Sequence, residues 1–106
     1  MVEGESIHLG GNIELSGFSE LKSGEMTVVK KIVGNYVRKL EGACTQFNGL
    51  KLNLKPLHKT GDTIKKFELY AKLMDGGNVL PASIVEHNLF VGLDSVLKKL
   101  EHEIKN

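Results

Sequence analysis

Apolar residues along this chain change their period twice, and the changes mark out its elements. Ile13 and Leu15 alternate with polar neighbours and stop at Gly17, the pattern of a short strand. From Met26 onward, Met26, Val29, Val33, Tyr36, Val37 and Leu40 recur every three or four residues, which is one stripe of an α-helix. Ser23 is placed to cap this helix, Glu25 suits its positive end, and Gly42 its stop. Leu50, Leu52 and Leu54 then alternate with Lys51, Asn53 and Lys55, predicting a strand with one dry face that ends at Pro56. A polar turn is expected over 58–62. Phe67, Leu69, Ala71 and Leu73 alternate with Lys66, Glu68, Tyr70 and Lys72 in a second half-buried strand. Asp75-Gly76-Gly77-Asn78 predicts a tight turn into a third strand over 79–85. Pro81 has no N–H to give a ladder, so that strand should lie at an edge or carry a bulge. Asn88 is a good N-cap for a last helix with Leu89, Leu93, Val96, Leu97, Leu100 and Ile104 on one face.

The predicted order is β-α-β-β-β-α. A crossover through the first helix makes the first two strands parallel neighbours, and the meander that follows is antiparallel. With one apolar stripe per helix and one apolar face per strand, the economical packing is of the α+β class. It is a four-stranded mixed sheet with two helices packed on one face, as in double-stranded-RNA-binding domains, and the other face meets solvent. Residues 12–106 read as a single domain. Residues 1–11, with Gly4, Gly10 and Gly11 among small and acidic neighbours, read as a flexible leader in which Ile7 to Leu9 could add a short strand.

Composition narrows the class. A chain of 106 residues, 41% hydrophobic and 25% charged, has the balance of a globular domain rather than a disordered one. The lone Cys44 excludes an internal disulfide and a Cys-rich zinc site, and fits a reducing, cytoplasmic setting. No apolar run is long enough for a membrane span, and the first 20 residues carry no Lys or Arg for a secretory signal. Fourteen bases against 13 acids leave a net charge of +1, which hides a separation. Residues 1–21 hold four acids and no base, residues 22–72 eleven bases and four acids, and residues 73–106 three bases and five acids. The segments therefore carry −4, +7 and −2.

Catalytic readings find little support. Cys44 reads as a structural thiol, and His8, His58, His87 and His102 are scattered without metal-ligand spacing. Glu86 and His87 are adjacent in an extended segment, so their side chains point to opposite faces. Gly10-Gly11 and Gly76-Gly77 lack the Lys-Ser/Thr sequel of a phosphate loop. No cofactor, metal or small-molecule substrate is expected, and the chain reads as non-catalytic.

The cations are more informative. Lys30, Lys31, Arg38 and Lys39 occupy the polar half of the first helix, Lys51, Lys55, Lys66 and Lys72 the wet positions of two strands, and Lys98 and Lys99 the last helix. Each group alone is the ordinary solvated face of its element; their coincidence, with few acids between, makes these ten residues candidates for binding RNA. Lysine point charges with one arginine favour phosphate and shape contact over base reading.

The segment from Glu86 to Glu101, with Phe90, Leu93-Asp94 and Lys99-Leu100-Glu101, resembles the last helix of the ribosome hibernation-promoting factors, also called ribosome-associated translation inhibitors. Ile13-Glu14-Leu15-Ser16-Gly17 is similar to that family's first strand, the spacing from Val33, Val37 and Leu40 to Leu54 is similar to its helix and second strand, and Asp75-Gly76-Gly77 to its hairpin. The resemblance runs from about Asn12 to Asn106 and implies the same β-α-β-β-β-α fold, in the family's short form. It implies binding to the small ribosomal subunit and its RNA, in the channel of messenger and transfer RNA, so that translation is inhibited and idle ribosomes are kept intact under stress. Lys99 matches a basic position of the family's second helix, whereas the lysine of its first helix falls at Tyr36 here. The segment between Gly17 and the first helix is longer than the family's, and an extra residue near Pro81 suggests a bulge. Self-association stays open. Two other readings share the fold: a double-stranded-RNA-binding domain, which places lysines at the start of its last helix where Leu89 to Val96 has none, and a protein-interaction module whose lysines only solubilise it.

Overall fold

The alternation of the chain is realised as a mixed sheet covered on one side. The computed structural model describes residues 6–8, 12–19, 21–61 and 63–105. Its elements are β1 (Ser6–His8), β2 (Ile13–Ser16), α1 (Ser23–Ala43), β3 (Phe47–Thr60), β4 (Thr63–Asp75), β5 (Asn78–Glu86) and α2 (Leu89–Lys105). Strand order in the sheet is β1-β2-β3-β4-β5, with β2 and β3 parallel and every other pair antiparallel. Strands β2 to β5 with the two helices give the expected β-α-β-β-β-α arrangement. β1 adds a short outer strand, from Ser6 opposite Ser16 to His8 opposite Glu14, one residue ahead of the expected Ile7–Leu9. The rest of the expected leader, 1–5 and 9–11, lies outside the described residues.

Register explains why one face is dry. Pairing aligns Ile13, Leu50, Leu73 and Leu80 in one row, Leu15, Leu52, Ala71 and Ala82 in the next, and Leu54, Leu69 and Ile84 in a third. Val29, Val33, Val37 and Leu40 of α1 and Leu93, Val96, Leu97 and Leu100 of α2 close over these rows in one core. Each fully buried Leu or Val contributes about 1.5–3 kcal/mol relative to exposure. Because side chains alternate, the same register sends Lys51, Asn53, Lys55, Tyr70, Lys72, Pro81 and Ser83 to the opposite, open face.

Several local expectations are corrected. The N-cap of α1 is Lys22, not Ser23; its N–H donates to Glu25 Oε1 at 3.1 Å, so a carboxylate reaching back does the capping. The helix passes Gly42 and ends where the Cys44 N–H reaches the Leu40 carbonyl at 2.9 Å. Asn88 caps α2 as expected, Oδ1 accepting from the N–H groups of Phe90 and Val91, both at 3.0 Å.

Pro56 does not end β3, which continues to Thr60. The Leu50 N–H donates to Asn12 O at 2.9 Å, so even-numbered residues of β3 turn their backbone toward β2. β2 stops opposite Asn53, and the missing N–H of Pro56 therefore falls on an open side where no ladder bond is lost. Much of the turn expected over 58–62 is therefore strand, with Gly61 at φ +59° after it and Asp62 outside the described residues. The register shifts lie between Phe47 and Gly49 and between Pro56 and Lys59. β3 and β4 thus form a long hairpin, and the molecule measures 43 × 24 × 21 Å. The bulge suggested near Pro81 is absent, since β4 and β5 pair without a shift from Phe67–Glu86 to Asp75–Asn78. The edge position alone accommodates Pro81. Carrying the alternation across the sheet turns the backbone of Leu80, Ala82 and Ile84 toward β4 and that of Pro81 and Ser83 outward.

Candidate nucleic-acid interface

The ten cations proposed from sequence do not converge on one patch. α1 buries Val29, Val33, Tyr36, Val37 and Leu40, which leaves Lys30, Lys31, Arg38 and Lys39 exposed on the outer surface of the helix layer. Lys39 leans back, its Nζ 4.9 Å from the centroid of the Tyr36 ring. The Tyr36 hydroxyl donates to Asp94 Oδ1 of α2 at 2.8 Å, and Lys98 Nζ lies 3.6 Å from Asp94 Oδ2. Lys39 and Lys98 are thereby gathered at the seam between the helices. Burial first, then the hydrogen bond and charge of Asp94, with a smaller push from Glu101, raise the Tyr36 phenol from 10.0 to about 12. The ring that stands where the resembled family carries a lysine serves as a neutral clasp between α1 and α2.

The second group lies on the open sheet face, on the far side of the core. Lys51 and Lys72 stand directly opposite each other in the β3–β4 ladder. Like charges so placed repel, and an anion between them would relieve the repulsion. Glu14 neighbours Lys51 from β2, and Glu68 neighbours Lys55 from β4, so each of those lysines has an acid beside it. Lys66 lies opposite His58, further along the hairpin. The third group is Lys99 by itself. Although next to Lys98 in sequence, it points to the outer edge of β5, where its Nζ donates to the Ser83 carbonyl at 3.0 Å.

Beside Lys99 runs an open groove of about 470 Å³ lined by Tyr70, Pro81, Ser83, Lys99, His102 and Glu103. Tyr70 is 41% exposed. In the sequence Tyr70 is one wet position of an alternating strand, and an aromatic in an otherwise charged row is the signal that marks it. Asn53, its neighbour on β3, is tied to Ser16 Oγ through Nδ2 at 2.9 Å.

Elsewhere the chemistry is modest. Burial, then Asp75, pushes the Cys44 thiol up, away from the thiolate a nucleophile needs. Among the described residues no group of three or more His, Cys, Asp and Glu is arranged to hold a metal, and no helix is long and apolar enough to cross a membrane.

The fold is similar to that of the N-terminal domain of Thermus thermophilus Protein Y, with a TM-score of 0.58, 15% identity, and coverage of 74% of this chain and 80% of that one. At this identity the likeness is one of fold alone. No family model and no curated protein matches the sequence.

Proposed function

We propose that this protein binds the small ribosomal subunit through its RNA, occupying the channel of messenger and transfer RNA and holding translation off without making or breaking a bond. The observation that carries this reading is the distribution of its cations over both outer surfaces, Lys30, Lys31, Arg38, Lys39 and Lys98 on the helix layer and Lys51, Lys55, Lys66 and Lys72 on the sheet. A domain lying on one duplex meets phosphates on one side. A domain enclosed by RNA meets them on both, which favours a channel over a double-stranded-RNA groove, and α2 lacks basic residues in its first turns. The resemblance of the sequence to hibernation-promoting factors and the fold-level likeness to the Protein Y domain support the same direction. The site of action would be the cytoplasm.

Co-sedimentation of the full chain with purified small subunits tests this. If about six lysines neutralise phosphates, affinity falls on the order of 10³-fold between roughly 50 and 200 mM salt. Lys31→Glu on the helix layer and Lys72→Glu on the sheet should each weaken binding. No association at low salt, or sensitivity on one surface only, overturns the channel reading.

A further inference from the structure

We infer that the open sheet face holds an unpaired nucleotide of single-stranded RNA, with its base stacked on Tyr70 and its phosphates met by Lys72 and Lys99. The partner class rests on the RNA reading above; the site itself rests on Tyr70 and its surroundings. The two tyrosines of the chain are placed oppositely. Tyr36 is buried in the helix seam, while Tyr70 stands 41% exposed in a row otherwise made of Lys66, Glu68 and Lys72. A single exposed aromatic is ordinary by itself. Here three further features surround it.

Pro81 and Tyr70 border the groove of about 470 Å³, giving it apolar surface a base can cover. That volume falls within the range of small-ligand sites. Lys72 lies two residues along the same strand and so on the same face as Tyr70, whose own cross-strand partner is Ser83. Lys99, held at the Ser83 carbonyl, lines the same groove as Tyr70 and brings a second ammonium to it. Two cations thus stand near the aromatic, Lys72 along its strand and Lys99 across β5. Finally, Asn53 and Ser83 sit on either side of Tyr70 with hydrogen-bonding groups suited to a base edge or ribose hydroxyl. Glu103 also lines the groove and Glu68 lies two residues from Tyr70 on the same face, so the phosphates belong on the side of Lys72 and Lys99. Aromatic stacking on a lysine-framed sheet selects unstacked bases, since a duplex hides their faces.

The test uses the full chain with a short single-stranded RNA and a duplex of matched length. Tyr70→Leu should weaken single-strand binding about tenfold and leave duplex binding unchanged, while Tyr70→Phe keeps the stacking and the affinity. In a Tyr36→Phe background Tyr70 is the sole tyrosine of a chain without tryptophan, and its fluorescence should be quenched by the single strand. Absence of quenching, or equal loss of both RNAs in Tyr70→Leu, overturns the inference. Sedimentation with small subunits separates the two readings: single-strand binding without subunit binding refutes the proposed function alone, and subunit binding with an indifferent Tyr70 refutes only this site.

Discussion

The Tyr36 hydroxyl donates a 2.8 Å hydrogen bond to Asp94 Oδ1, joining residues 58 positions apart and locking α1 to α2 over the sheet. Lys39 above the ring and Lys98 beside the carboxylate complete the clasp. A charged acceptor that is itself half in water makes a bond of ordinary strength, so Tyr36→Phe should cost about 1 kcal/mol, read as a lower urea midpoint at constant slope.

The same clasp sets an alkaline limit. Burial and Asp94 push the Tyr36 phenol up to about 12 in the fold, against 10.0 for an ordinary phenol, so the folded state favours the neutral form. Its contribution is complete below pH 10.0 and is lost as pH rises from there toward about 12. Tyr36→Phe should show a smaller fall in stability over that interval; an equal fall in both proteins would place the alkaline loss elsewhere.

Two glycines should respond in opposite directions. Gly17 has φ +79°, and a Cβ there would collide with the Leu54 carbonyl, so Gly17→Ala should cost more than about 2 kcal/mol by thermal or urea unfolding. Gly34 lies inside α1 with open space around it, and Gly34→Ala should stabilise by about 0.5–1 kcal/mol.

Asn88 carries the start of α2. Asn88→Ala removes the acceptor of two N–H groups and should cost about 1 kcal/mol, while Asn88→Asp should retain most of the cap; the urea midpoints of the two variants separate them.

The outer edge of β5 is defended against strand addition. Pro81 offers no N–H outward, and Lys99 occupies the outward carbonyl of Ser83. Val79 and Val85, 54% and 47% exposed, flank that stretch. A Pro81→Val, Lys99→Met double variant should self-associate at concentrations where the parent does not, as sedimentation equilibrium would detect. An unchanged oligomeric state in the variant would show that the edge needs no such guard.

Much of the fold was legible because its elements repeat their apolar residues at their own period. The stripe from Met26 to Leu40 and the alternations from Leu50 and Phe67 each become the element they predict, and Asn88 caps as its residue type suggests. Misreadings fell where neighbours decide. Pro56 interrupts a strand only if its nitrogen faces a partner, and Ser23 caps only if no carboxylate reaches back first. The candidate site was half legible. Its ten cations and the faces of their elements were visible, but the parting of Lys98 and Lys99 was not, since the two are adjacent in the chain and one pairs within α2 while the other reaches β5.

Local periodicity and charge order, then, belong to the sequence by itself: which residues face the core, which are wet, and that the middle of the chain is basic. The tertiary structure alone decided that Lys98 and Lys99 part, one to the helix seam and the other to the edge of β5, that Tyr36 becomes a clasp while Tyr70 stays in the open, and that Pro56 is harmless. The physical reason is that burial pattern is a property of each element, whereas spacing between charges and the direction of a backbone N–H depend on strand register and on which neighbour lies alongside.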